Sequence, residues 1–298
     1  SCSECSDIIQ NQAQPGDTVK LTANITNYAG ANDSTQLGET CINFGGKDDI
    51  TFDCNGKTIS GDGDSYGYGI WLNDSDSGSN NNTIKNCANI SYFRLGIHVQ
   101  SDSGGNIFQN IDLRENRYYD FFPFTFGYPF ATHASCNNTL ENVTGSGGRP
   151  IEYYNYSVDI QNKTFAELIL CDADNSTVVN VTVIGSDTIH NNGIIIVKTE
   201  NTTVSDSYCM NVCDCVQIWF SSNNTVADMN INTVDDDGIL IELSSSNIFH
   251  DIWINNSGWW GVSLGESYNN TFWNITTNYA LYAGVGAGVG RKEVCKWC

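Results

Sequence analysis

Apolar and polar residues alternate in short runs along most of the chain, and helical spacing is not sustained anywhere. Gly96-Ile-His-Val, Gly193-Ile-Ile-Ile, Val216-Gln-Ile-Trp, Gly238-Ile-Leu-Ile and Gly261-Val-Ser-Leu read as short strands with one buried face. Asn-led segments recur at a fixed offset ahead of such runs. They begin at Asn81, Asn106, Asn137, Asn175, Asn201, Asn223, Asn247 and Asn269, as in Asn223-Asn-Thr-Val and Asn269-Asn-Thr-Phe. The step is about 23 to 26 residues in the C-terminal half, and longer after Asn106 and Asn137. Strands at this period, joined by Gly, Asn, Asp and Ser corners, each build one turn of a parallel β-helix. One turn cannot bury its apolar face alone, whereas stacked turns share a core. About ten turns at ~4.8 Å each make a rod of roughly 50 Å. The Asn leading each turn is expected to stack on its counterpart in the next turn, its amide donating one way and accepting the other. The alternative is that it only tolerates a left-handed backbone at a turn.

The repeat sets provisional boundaries. Residues 1–50 form an N-terminal cap and first coils, 51–290 the β-helix, and 291–298 a Cys-containing tail, with insertions near 113–134 and 145–174. The second insertion reads as a widened coil or a hairpin. Around the first stand Tyr118, Tyr119, Phe121, Phe122, Phe124, Phe126, Tyr128 and Phe130. Such aromatic density is costly to leave in water. It is assigned to contact with a neighbouring subunit, the alternatives being packing back on the rod or stacking on sugar. The Ala-Gly-Val-Gly run of 283–290 carries no cap signal, so that end either meets another subunit or leaves as a plain exit.

Composition narrows the function. Of 298 residues only 13 are Lys or Arg against 34 Asp or Glu, a net charge of −21. That surface repels phosphate backbones and disfavours anionic lipid, which removes nucleic acid as a partner. No stretch of about 20 apolar residues exists to span a membrane. Twelve Cys in so acidic a chain point to an oxidising compartment and a disulfide framework. Sixteen sequons, at Asn24, Asn32, Asn73, Asn81, Asn89, Asn137, Asn142, Asn155, Asn162, Asn175, Asn180, Asn201, Asn223, Asn255, Asn269 and Asn274, are glycosylation candidates and agree with export. Ser1-Cys2 reads as a mature terminus after cleavage.

Asp53-Cys-Asn-Gly-Lys-Thr-Ile-Ser-Gly followed by Tyr68-Gly-Ile-Trp-Leu resembles the opening coils of right-handed parallel β-helix repeat proteins of archaeal surfaces. Pro15-Gly-Asp-Thr-Val and the coils from Ala166 are similar to the same family. The resemblance spans roughly residues 15–290 and implies fold rather than activity. The Cys count and acidity also resemble those of S-layer subunits and the sheaths of methanogens.

The remaining residues bear on chemistry. Cys2-x-x-Cys5 and Cys295-x-x-Cys298 are candidates for disulfides, within the chain or between subunits, with zinc as a third reading. Cys209, Cys213 and Cys215 cluster, and are expected to form a disulfide among themselves or with Cys136 or Cys171. Cys41, Cys54 and Cys87 complete the set, whose pairing spacing alone leaves open. The four His and Met210 and Met229 share no metal-site pattern. Asp235-Asp-Asp-Gly238 is either a Ca²⁺ corner or a solvated one. Those aspartates could also serve a glycoside hydrolase. The Gly-His-Gly and Arg-x-Lys segments of β-helix galacturonan hydrolases are nevertheless absent, and Arg94, Arg114, Arg117 and Arg149 do not share one coil face as a lyase needs. The sequence therefore reads as a non-enzymatic, glycosylated, disulfide-stabilised structural subunit that assembles with copies of itself into an extracellular archaeal sheath, S-layer or filament. A polysaccharide lyase, hydrolase or glycan-binding β-helix is the alternative.

Overall fold

The computed structural model describes residues 1–29, 40–63, 67–73, 78–100, 102–124, 136–287 and 294–296. They form two compact units, Ser1–Pro150 and Ile151–Cys298. Each is all-β and built from parallel ladders, the architecture of a right-handed parallel β-helix.

In the first unit, Thr18–Lys20, Thr51–Asp53, Thr83–Ser91, Ile107–Arg114 and Thr139–Thr144 pair in sequence, each one coil above the last. A second sheet stacks Ile42–Asn43, Tyr68–Leu72, Leu95–Val99 and Tyr119–Phe122. Alternate residues point inward in register. Ile70, Ile97 and Phe121 form one buried column, and Phe52, Ile84 and Phe108 another. The second unit repeats the plan. One of its sheets stacks Ile151–Tyr154, Glu167–Cys171, Ile194–Val197, Val216–Trp219, Ile239–Glu242, Trp260–Gly265 and Ala283–Ala287. Leu170, Ile196, Ile218, Ile241 and Leu264 make one continuous core column there.

The N-terminal end is covered. Ser1 caps the helix Cys2–Asp7 through a reciprocal bond pair with Glu4. The following turn buries Ile9 completely. Ser6 and Gln10 bond the backbone of Cys41 and Asn43, and the Cys2–Cys41 disulfide fastens the helix to the same strand. A strand edge that would otherwise template pairing is thereby occupied.

The polar ladder lies one residue away from its expected place in most coils. Asn81, Asn175, Asn201, Asn223 and Asn269 are exposed and left-handed, with φ of 55° to 59°. The next residue is the buried one. Asn82 accepts from Ile50 N–H, Asn106 from Asn82 and Asn138 from Asn106. In the second unit Thr202 accepts from Ser176, Asn224 from Thr202, Asn247 from Asn224 and Asn270 from Asn247, at 2.9–3.0 Å. The Asn amides donate back, as Asn247 does to Ser221 O and Asn270 to Ser244 O. Only Asn106 and Asn247, of the leading residues, belong to this column. A hydroxyl column runs beside it: Thr199, Ser221, Ser244 and Ser267 each accept a backbone N–H from the preceding coil. The expected amide-on-amide stack exists in the buried column, where Asn106 donates to Asn138 and Asn247 to Asn270, and again on the surface, where Asn142 donates to Asn110, Asn110 to Asn86, and Asn180 to Asn162.

Two expected insertions look different in the structure. Leu113 and Tyr119–Phe122 sit in regular ladders, pairing with Ile90 and with Leu95–His98, so the coil is unbroken to Phe122. Tyr119, Phe121, Phe122 and Phe124 are fully buried and cannot touch a neighbouring subunit. Tyr118 is half-buried under the guanidinium groups of Arg94 and Arg117. Phe126, Tyr128 and Phe130 lie outside the described residues. The 145–174 segment is a compact coil and not a widened one or a hairpin: Ile151 pairs with Glu167 and Asp159 with Thr177.

Asn247 satisfies one buried N–H and one buried C=O, and each group left unpaired costs about 1–3 kcal/mol. Asn247→Ala is therefore expected to lower the urea midpoint strongly. Asn223→Gly, which keeps the left-handed corner, should stay within about 0.5 kcal/mol of the parent. Equilibrium unfolding of the two variants checks this.

Candidate functional site

One corner of the second unit departs from the amide and hydroxyl columns. Tyr208–Val212 turns through Cys213-Asp214-Cys215 into the next strand, and the following coils turn through Asp235–Gly238, Gly258-Trp259 and Leu281-Tyr282. Backbone bonds put the corners in register: Asp236 N–H donates to Cys213 O, Trp259 N–H to Asp236 O and Tyr282 N–H to Trp259 O, at 2.9–3.1 Å. A thiol, a carboxyl, an indole and a phenol thus occupy equivalent positions one coil apart. A second column runs behind them, Asp237 N–H donating to Asp214 Oδ1 at 2.8 Å and Trp260 N–H to Asp237 Oδ1 at 2.9 Å.

The inner aspartates are held. Asp214, 3% exposed, also accepts from Gln217 Nε2, and Gln217 accepts from Trp219 Nε1. Asp237 accepts from Trp260 N–H and from Ser263. Asp236 is half-buried, its carbonyl tied to Trp259 N–H and to the Ser257 hydroxyl. Burial raises the pKa of both Asp236 and Asp237, and the negative charge of Asp214 adds to it, so this corner retains protons that exposed carboxylates lose. The segment lies close against its neighbour: a Cβ on Gly258 would stand 2.0 Å from Asp235 O.

Ligand atoms of Cys213, Asp214 and Asp236 lie within 4.8 Å of one another. Asp235–Asp237, read as either a Ca²⁺ corner or a solvated one, is split: Asp235 is exposed and Asp237 buried. Asp236 converges with Asp214 and a thiol, and a sulfur donor suits a softer cation than Ca²⁺.

The cysteines resolve as Cys2–Cys41, Cys54–Cys87 and Cys209–Cys215, with Cys136 and Cys171 also disulfide-bonded. Cys2 is thus consumed inside the chain, which removes it as an inter-subunit link and removes zinc at Cys2-x-x-Cys5. Cys5 and Cys213 are buried thiols outside these bonds. Cys5 lines a cleft of about 400 Å³ beside the cap, with Glu4, Ile8, Leu21 and Ile25. Cys295 lies on the strand Val294–Lys296, and Cys298 lies outside the described residues.

The sequons follow the corners. Asn81, Asn137, Asn175, Asn201, Asn223 and Asn269 are exposed and lead a buried ladder residue and a strand-opening Thr, so the repeat itself writes N-x-T. Asn24, Asn142, Asn162, Asn180 and Asn274 are exposed as well, but Asn142, Asn180 and Asn274 spend their amides on surface-column bonds. Asn73, Asn89, Asn155 and Asn255 are half-buried, and Asn32 lies outside the described residues.

No protein-family model matches the sequence, and no curated protein does. Among solved structures, the surface adhesin PfbA of Streptococcus pneumoniae is similar at 13% identity and TM-score 0.37, over 88% of this chain and 79% of that one. The periplasmic alginate epimerase AlgG matches at 10% identity and TM-score 0.36, over 100% and 82%. The enzymatically active domain of bacteriophage CBA120 tailspike protein 2 matches at 11% identity and TM-score 0.30, over 95% and 43%. Likenesses this distant carry nothing about activity, and the fold stands on the chain's own parallel ladders.

Asp214, Trp259, Trp260 and Tyr282 escaped sequence reasoning, although a signal was present. The steps from Asp214 to Asp237 and from Asp237 to Trp260 are both 23 residues, one coil each.

An aspartate titrates near 4 when unfolded, whereas Asp236 is raised to about 7 and Asp237 to about 8 in the folded chain. A raised carboxyl contributes stability that is complete below the unfolded value and lost as pH rises through the folded value. The urea midpoint is expected to fall between about pH 5 and pH 8.5. Asp237→Asn, which can still accept from Trp260 N–H, should flatten that fall. Denaturation curves across the range check it.

Proposed function

We propose that this chain is an exported, disulfide-reinforced structural subunit of an extracellular cell-envelope polymer of the archaeal sheath, S-layer or filament kind, glycosylated at part of its exposed sequons. The observation that carries the reading is the cysteine inventory. Disulfides persist in oxidising compartments, and after they are accounted for, Cys5 remains as a buried thiol in the wall of a cleft at the N-terminal cap. Cys295 and Cys298 stand at the far end of the sequence. A thiol left over in an exported chain favours pairing between molecules. The rest of the structure supports the same role. Ladders bonded coil to coil are stiff, and among the described residues no helix is long and apolar enough to cross a membrane. The acidic surface suits an outer face and leaves copies of the chain as partners. Because the cap occupies the edge at Cys41–Asn43, strand stacking there is blocked and side-chain chemistry is left to join copies.

A second reading, a polysaccharide-active β-helix, is favoured by one observation: protonated Asp236 and Asp237 beside exposed aromatic rings. Hydrolysis of a glycosidic bond needs a carboxylic acid that keeps its proton near neutral pH. Product release from neutral or uronate glycans, abolished in Asp236→Asn, would move the protein into that class.

Native material is expected to show regular tubes, sheets or fibres by electron microscopy. On non-reducing gels it should run as a ladder well above 32.7 kDa that collapses with reductant. Cys5→Ser should shorten the ladder while the four-disulfide fold persists. Dispersed monomers without reductant would overturn the assembly reading.

A further inference from the structure

We propose that the corner formed by Asp236, Trp259 and Tyr282 is a binding site for an uncharged saccharide chain, with the two rings as a stacking shelf and Asp236 as the polar anchor. The inference goes beyond assembly and requires no turnover.

Exposed apolar surface at the last coils is the first observation. Trp259 is 50% exposed and Tyr282 59%. Their ring centroids are 5.2 Å apart at an interplanar angle of 51°, and Trp260 backs Tyr282 at 5.8 Å. Two large rings left in water at one corner cost free energy that a ligand recovers by covering them. The C–H face of a pyranose is an apolar surface of the right size, and its rim of hydroxyls stays wet or pairs with polar groups.

The second observation is what stands beside the rings. Asp236 occupies the equivalent position one coil back, joined to Trp259 through its own carbonyl. Half-buried and in register with Trp259, its carboxyl is placed to accept from sugar hydroxyl groups. Asp214 and Asp237 are buried and bound to Gln217 and to the Asp237 and Trp260 amides, which leaves the half-buried Asp236 and the exposed Asp235 as the carboxyls that solvent reaches.

Charge selects the class of saccharide. Residues 213–217, 235–238, 258–261 and 281–283 contain four Asp and no Lys or Arg. A uronate, sulfate or sialate would meet carboxyls with no counter-charge, against a chain of net charge −21. An uncharged chain pays no such penalty. The shelf is also fixed before binding. Gly258 lets the turn lie against Asp235, and the Ser257 hydroxyl lies between the carbonyls of Asp236 and Trp260 at 2.9 and 2.5 Å. Preorganised rings save the ordering cost that weakens flexible sites.

The test uses the full chain and three probes: cellohexaose, mannohexaose and hexagalacturonate, titrated by calorimetry and by tryptophan fluorescence. Saturable binding of at least one neutral hexasaccharide is expected, with none for hexagalacturonate. Trp259→Ala and Tyr282→Ala should each weaken it by about tenfold or more, the scale of losing a central aromatic contact. Trp253→Ala, which removes an exposed indole away from this corner, should leave it unchanged. Asp236→Asn keeps a donor and an acceptor, so binding should survive within about threefold, whereas any hydrolysis would be lost; the two failures are thus distinguishable. The proposal is overturned by no neutral binding, by equal binding of hexagalacturonate, by Trp253→Ala matching Trp259→Ala, or by Trp259→Ala abolishing self-association and leaving sugar binding intact. The last outcome would assign the shelf to a second copy of the chain.

Discussion

The structure depends on one recurring constraint: every coil must turn, and each turn buries backbone N–H groups that no strand ladder can reach. A buried N–H without an acceptor costs about as much as a lost hydrogen bond. The chain meets this with side chains from the next coil. Asn, Thr or Ser oxygens accept the corner N–H groups, and Asn amides return a bond to a carbonyl one coil back. Because the acceptor comes from the neighbouring coil, a turn is satisfied only when stacked. Coils therefore stabilise one another cooperatively, as repeat arrays do.

This constraint also decides what the sequence discloses and what it hides. The period was legible because the corner writes the same letters in most coils: a residue that tolerates positive φ, a buried acceptor, a Thr opening the strand. Which Asn does which job was not legible, since both are Asn in coils such as Asn223-Asn224 and Asn269-Asn270. Only burial separates the exposed left-handed residue from its bonded neighbour. Sequon density carries the same ambiguity, because N-x-T arises from the turn whether or not sugar is attached. The aromatic run near residue 120 misled for a related reason. Tyr119 and Phe121 alternate inward like any strand residue, but Phe122 and Phe124 are buried too. Phe122 packs against Phe124 and His98, which also stacks on Trp71, an aromatic layer that alternation alone does not reveal.

Cysteine chemistry follows the same geometry. Cys54–Cys87 joins adjacent coils 33 residues apart, and Cys209–Cys215 closes a corner 6 residues long. Cys2–Cys41 instead fastens the cap. Coil neighbours are far apart in sequence, so spacing could not pair them; stacking does so at once. Cys5 and Cys213 stay outside these bonds, Cys5 beside a cleft and Cys213 close to the carboxyls of Asp214 and Asp236.

Columns in a β-helix therefore divide by whether their residue type repeats. Where the same chemistry recurs coil after coil, as at Ser221, Ser244 and Ser267, the side chain is answering the backbone, and substitution is answered by instability. At the Cys213 corner the type changes at every coil, from thiol to carboxyl to indole to phenol, although the backbone bonds there are as regular as elsewhere. The backbone needs none of those side chains at the outer position, since its own amides and the inner aspartates satisfy it. Asp236, Trp259 and Tyr282 thus leave a half-buried carboxyl and two exposed rings at this corner without a structural return. A repeat tolerates such a departure where the side chains face something other than the chain itself, and that is the physical reason to place recognition at this corner.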